Sequence, residues 1–174
     1  MGTSMMLVVQ KENKLKLAQY DNWDGYPLDN GIEIFKNLKL SNMDKFQKTL
    51  SKILFFNEYE TRIYLDALSK PVSQLSVDIP YSIMQTCDSL IEYLSEIEEE
   101  VRLINYIESL NSCNYLYFIN FDNKSYKIYK NHFSSYICQE CLEISKIKYK
   151  YFERLKKFDL YNLPTIKEYK KCFD

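Results

Sequence analysis

The chain has 174 residues, 23 Lys and Arg against 24 Asp and Glu, and 46% hydrophobic residues, for a net charge of −1. That length suits a single domain over 1–174 with a real core, and that hydrophobic fraction argues against wholesale disorder. No apolar run approaches the ~18 residues of a membrane span, and the first nine residues lack the flank and cleavage site of a signal peptide, so a cytoplasmic protein with no membrane partner is expected. Five cysteines, at 87, 113, 138, 141 and 172, are an odd number and suit reduced thiols better than a disulfide framework. Charge is unevenly spread: residues 1–123 hold 11 Lys and Arg against 18 Asp and Glu, while residues 124–174 hold 12 against 6. Either the two parts neutralise each other, or the basic part offers a face to an anionic partner.

Met5 to Val9 and Leu15 to Tyr20 are β-favouring runs around a polar turn, Lys11-Glu12-Asn13-Lys14, which predicts a hairpin. Asp29 or Asn30 is placed to cap a helix with Ile32, Phe35 and Leu38 on one face. Ser41, with Asp44 as capping-box partner, predicts a second helix with a stripe of Met43, Phe46, Leu50, Ile53 and Leu54. A third is expected over Glu58 to Ser69, and a connecting loop over Pro71 to Asp78. Pro80 suits the first position of a further helix, with Ile83, Met84, Cys87, Leu90, Ile91 and Leu94 at helical spacing that runs on through Ile97, Val101 and Ile104. Tyr115 to Phe121 and Tyr126 to Ile128, joined by Asp122-Asn123-Lys124, predict a second hairpin. Its first strand is apolar on both faces and reads as central. Phe133 to Lys157 is expected to be helical, and Pro164 to open a short tail helix. The order implies an α+β fold, with one antiparallel sheet built from hairpins at about 5–20 and 115–129 and packed with several helices.

The most unusual stretch is Gln19 to Gly31. Two of the chain's three glycines, Gly25 and Gly31, and its sole tryptophan, Trp23, lie there. Glycine is the residue for positive φ or close backbone approach, and Asp-Gly-x-Pro is turn chemistry. A bent loop presenting Trp23, Asp24 and Tyr26 follows, with Tyr20 and Gly25 completing a candidate binding set.

These residues carry a resemblance. Met1-Gly2-Thr3 at the start, then Tyr20, Trp23-Asp24-Gly25-Tyr26-Pro27 and Gly31, resemble a largely uncharacterised family of small phage, prophage and bacterial proteins. That family begins Met-Gly-Thr-Arg and carries a Tyr-x-Gln-Trp/Phe-Asp-Gly-Tyr-Pro motif followed by a glycine. The Tyr115 to Ile128 hairpin is loosely similar to a later segment of the family. Ser4 stands where the family usually has Arg and Asn22 where it has Gln, so an anion contact by that Arg is not expected here. The resemblance implies a phage or mobile-element origin, hence the cytoplasm of a host cell, and implies no particular activity.

Asp24 beside Trp23 and Tyr26 suits a ligand-binding carboxylate or a general base, and equally suits an Asx residue accepting backbone N–H groups. Thr3 would become an N-terminal nucleophile only after removal of Met1 and Gly2. Cys138-x-x-Cys141 with His132 upstream has metal-like spacing, but needs a fourth ligand from Cys113, Cys172 or a carboxylate, and the same spacing on a helix simply turns both thiols to the core. No metal and no cofactor are expected. Phosphate-loop, dinucleotide, nucleophile-elbow and zinc-protease motifs are all absent. The expected function is a phage-type binding protein that sequesters or blocks a host component, either a defence protein or a nucleotide signal. Lysines of the C-terminal helix would be anion contacts for the latter. The alternatives are a small hydrolase or nucleotide-processing enzyme using Asp24, and an assembly protein of a mobile element. The oligomeric state stays open, a homodimer included.

Overall fold

A computed structural model describes residues 2–70, 80–132 and 152–174. A five-stranded sheet in the order β2-β1-β5-β6-β7 forms its centre. Strands β1 (Met5–Lys11) and β2 (Lys14–Asp21) make the first hairpin. Its two-residue turn places Glu12 and Asn13 at φ 57° and 55°, the geometry that matches strand twist and normally recruits glycine. The second hairpin's turn supports it, since the Asp122 carboxylate accepts the N–H groups of Glu12 at 2.7 Å and Asn13 at 3.0 Å.

Strands β5 (Tyr115–Asn120) and β6 (Ser125–Asn131) form the second hairpin, and β5 is central and buried on both faces. The two hairpins share one sheet, as the pattern implied. The seam between them differs: β1 and β5 run parallel, from Met5 beside Tyr115 to Gln10 beside Asn120, so the sheet is mixed and mostly antiparallel. A parallel seam is possible because the intervening helices return the chain to its starting end.

Helices α1 (Asn30–Leu40), α2 (Met43–Leu50) and α4 (Cys87–Glu96) bury Phe35, Leu38, Phe46, Leu50, Leu90, Ile91 and Leu94 with the sheet face that carries Tyr117, Tyr126 and Ile128. The other face carries Met6, Val8, Leu116, Phe118 and Tyr129, packed with Leu110 and Cys113. Helix α3 (Glu58–Leu68) starts where expected, ends one residue earlier with Ser69 as its C-cap, and has an Asn57/Glu60 capping box. The cap of α2 is Asn42, whose side chain accepts the Lys45 N–H, one residue beyond the expected Ser41.

Four expectations give way. Ile53 and Leu54 lie on a strand, β3 (Ile53–Phe55), paired in parallel with β4 (Val101–Leu103), so neither continues a helix. Helix α4 stops at Glu96 and does not reach Val101. Pro80 precedes a short 3₁₀ turn, Tyr81–Met84, and α4 begins only at Cys87. The loop expected at Pro71 to Asp78 and the helix expected from Phe133 lie largely outside the described residues; the described end of that helix, from Phe152, is instead strand β7 (Phe152–Asp159), antiparallel to β6. Its lysines are strand residues. The short tail helix α5 (Ile166–Lys170) is present, capped by Thr165. Among the described residues no helix is long and apolar enough to cross a membrane.

Candidate functional site

Strand β2 ends at Asp21, and the chain turns through Asn22 to Asp29 before α1 begins. Asp21 sets the first bend, accepting the Trp23 N–H on Oδ1 at 3.2 Å. Burial, the larger influence, pushes its carboxyl above the ordinary range, opposed by N–H groups of Trp23, Asn22 and Cys87. Tyr20, half-buried on β2, donates its hydroxyl to Asn22 Oδ1 at 2.8 Å. Asp24 is the residue at φ 47°, a left-handed conformation that Asp tolerates better than most. Its carbonyl accepts the Asn30 N–H at 3.0 Å, while the Asn30 side chain donates to the Trp23 carbonyl at 3.0 Å. The Asx role open to Asp24 is thus taken by Asp21, and the Asp24 carboxylate is left in solvent.

The loop is held from below. Gly25 donates its N–H to the Thr3 carbonyl at 2.8 Å and its carbonyl accepts the buried Tyr117 hydroxyl at 2.7 Å. The Pro27 carbonyl accepts the Tyr169 hydroxyl at 3.1 Å. Each such bond contributes on the order of 1 kcal/mol net. Tyr169 is itself fixed by stacking on Phe35, with ring centroids 4.2 Å apart.

No glycine here has positive φ; all three serve close approach. A Cβ on Gly31 would sit 2.3 Å from the Tyr117 hydroxyl oxygen, and one on Gly25 within 2.9 Å of the Thr3 and Ser4 carbonyls and 2.8 Å from Met5 Cβ. One on Gly2 would meet the Asn22 carbonyl at 2.6 Å and the Trp23 ring at 3.2 Å. The start of the chain and the Trp-Asp-Gly-Tyr-Pro stretch are therefore two halves of one packed unit.

On this base the aromatic side chains point outward. Trp23 is 69% exposed and Tyr26 is 50% exposed, its ring tilted against Tyr115 at 5.5 Å. The structure therefore places Trp23, Asp24, Gly25 and Tyr26 on one loop, whereas Tyr20 stays on β2 and packs against the sheet face of Met6 and Val8. Thr3 joins it through its main chain. Ser4 is buried, its N–H and hydroxyl both directed to Asn114 Oδ1 at 2.9 Å, so it ties β1 to the entry of β5.

Of the metal candidates His132, Cys138 and Cys141, the described residues include His132 alone. His132 Nε2 lies 2.5 Å from Glu153 Oε2 in an exposed pair joining β6 to β7, and Cys138 and Cys141 lie outside the described residues. Cys113 is buried with its thiol pushed up to about 12 by burial, and Cys172 donates to the Glu168 carbonyl at 3.3 Å. Among the described residues no three potential metal ligands cluster. Of the basic part, Lys127, Arg154 and Lys157 share the sheet face of Phe118, away from Tyr117 and the loop.

Sequence reasoning missed the clamp: Tyr117, Tyr169, Asn30, Asp21 and the role of Gly2. One signal was available in Gly31, an expensive residue at the start of a helix, which implied that something large passed close by. No protein-family model, curated protein or solved structure matches this chain.

Proposed function

We propose that the chain is a binding protein of phage or mobile-element type that sequesters or blocks a host component, a defence protein ahead of a nucleotide signal. Trp23, Asp24 and Tyr26 carry the contact, on a bend that Tyr20 and Gly25 help to hold. The observation behind this reading is a solvent-facing indole on a main chain fixed by Thr3, Asn30, Tyr117 and Tyr169. Covering that indole would contribute about 3 kcal/mol by area alone, which the fold leaves unused. A rigid loop loses little entropy on docking, and Trp and Tyr are the side chains that dominate interface energies. General-base chemistry by Asp24 would gain from a desolvated carboxylate held against its proton donor. Asp24 is exposed, which favours binding over turnover.

The test is a plaquing assay in a bacterial host expressing the chain under a panel of defence systems. The unaltered chain is expected to restore plaquing against at least one system, and Trp23→Ala/Tyr26→Ala to abolish the rescue at unchanged melting temperature. Rescue that persists in a folded double variant would remove the loop from the function.

A further inference from the structure

The same loop also carries negative charge that no described residue neutralises. From Leu17 to Phe35 the chain carries Asp21, Asp24, Asp29 and Glu33 and no Lys or Arg. Two of these carboxylates are used internally: Asp21 by the Trp23 N–H, and Glu33 by Lys36 at 2.6 Å. Asp24 and Asp29 are exposed and make no ion pair or side-chain hydrogen bond among the described residues. Along the loop they alternate with the aromatics, Asp24 between Trp23 and Tyr26 and Asp29 after Tyr26. The basic cluster of Lys127, Arg154 and Lys157 lies on the other sheet face. On the loop's own side Lys130 stands opposite Tyr115, and α5 carries Lys167 and Lys170; neither Asp24 nor Asp29 pairs with them.

Aromatic ring faces attract cations. Carboxylates beside them deepen that attraction and repel phosphate. We infer that the Trp23 and Tyr26 loop receives a lysine or arginine side chain from a basic segment of a protein partner, with the cation over the indole face and Asp24 and Asp29 as counter-charges. This rests on the loop being a docking site, and it sets the partner's chemistry: a cationic polypeptide, in place of a nucleotide.

The sole tryptophan makes the loop its own reporter. In low salt, a hexa-arginine peptide added to the full chain is expected to change Trp23 fluorescence saturably. The affinity is expected to drop about tenfold in Asp24→Asn/Asp29→Asn and to fall as salt rises. Asn tolerates the left-handed conformation at 24 and the cap position at 29, so the double variant keeps its backbone. Hexaglutamate and ATP are expected to leave the signal unchanged. No saturable response to the peptide, equal affinity in the double variant, or a saturable response to ATP overturns the inference. The two readings fail separately: a plaquing rescue that depends on Trp23 but survives Asp24→Asn/Asp29→Asn keeps the docking loop and removes the cationic partner.

Discussion

Gly31 shows how a single residue reports on its surroundings. Its α1 position is ordinary helix, where glycine is destabilising relative to alanine. Gly31→Ala is nevertheless expected to destabilise, because the new Cβ would press 2.3 Å from the Tyr117 hydroxyl oxygen and 2.8 Å from its ring. Overpacking against a fully buried ring costs about 1–3 kcal/mol, measurable by urea denaturation followed by circular dichroism; a gain in stability would show that the ring yields freely. The three buried tyrosines beneath the loop separate by the same logic. Tyr117→Phe leaves the buried Gly25 carbonyl without its donor and is expected to cost about 1–2 kcal/mol. Among the described residues the Tyr126 hydroxyl, buried beside that of Tyr169, has no partner in hydrogen-bond geometry. Tyr126→Phe is therefore expected to be neutral or stabilising in the same denaturation series.

Among the elements, the two hairpins were legible because alternation and a polar turn agreed with the tertiary context, and α3 ran nearly as expected, whereas the capping box expected of Ser41 and Asp44 is replaced by an Asn42 cap. Strand β7 was not. Phe152, Leu155 and Phe158 recur every third residue, which mimics a helix. The cause is a bulge: Ile128 pairs with Lys156 but Tyr129 with Arg154, so Leu155 is an extra residue and the strand's alternation is broken. Strands β3 and β4 have three residues each, too few to show a period, and their existence depends on each other. Helix α3 rests on few apolar contacts, burying Ala67 alone. Its anchors are the Tyr64 ring against Phe56 and the Arg102 guanidinium, which lies over Phe56 and bonds both Glu60 carboxylate oxygens at 2.8 Å. The Asn57 N–H first, and then Arg102, hold the Glu60 carboxyl below its ordinary 4.5. A lowered carboxyl stabilises the folded form above the unfolded value, and that contribution is lost as pH falls through the folded one. Amide exchange in α3 is therefore expected to lose protection below about pH 4.5 relative to the central strands. Glu60→Gln should flatten that dependence; equal pH dependence in both forms would mean that the cap does not govern α3.

Across the whole molecule, the candidate site is assembled from parts that lie far apart in the chain. Gly2 and Thr3 come from the start, Tyr117 from the central strand and Tyr169 from the last helix. The loop itself was legible, because a tryptophan, two glycines and a proline in one short stretch mark a constrained turn. Its foundation was not, because which tyrosine of sixteen lies beneath it is decided by the parallel β1 and β5 seam and by where α5 returns. This arrangement predicts a separable stability for the loop. Tyr169→Phe keeps the ring stacked on Phe35 and removes only the donor to the Pro27 carbonyl. Global stability should fall by about 1 kcal/mol. If α5 clamps the loop locally, exchange at the Gly25, Asn30 and Gly31 amides should accelerate more than at amides of β5, because those three bond within the loop or to Thr3. Acceleration by one common factor in loop and strand would instead mean that the loop opens only when the sheet does, and that α5 stabilises the molecule without shaping the surface it presents.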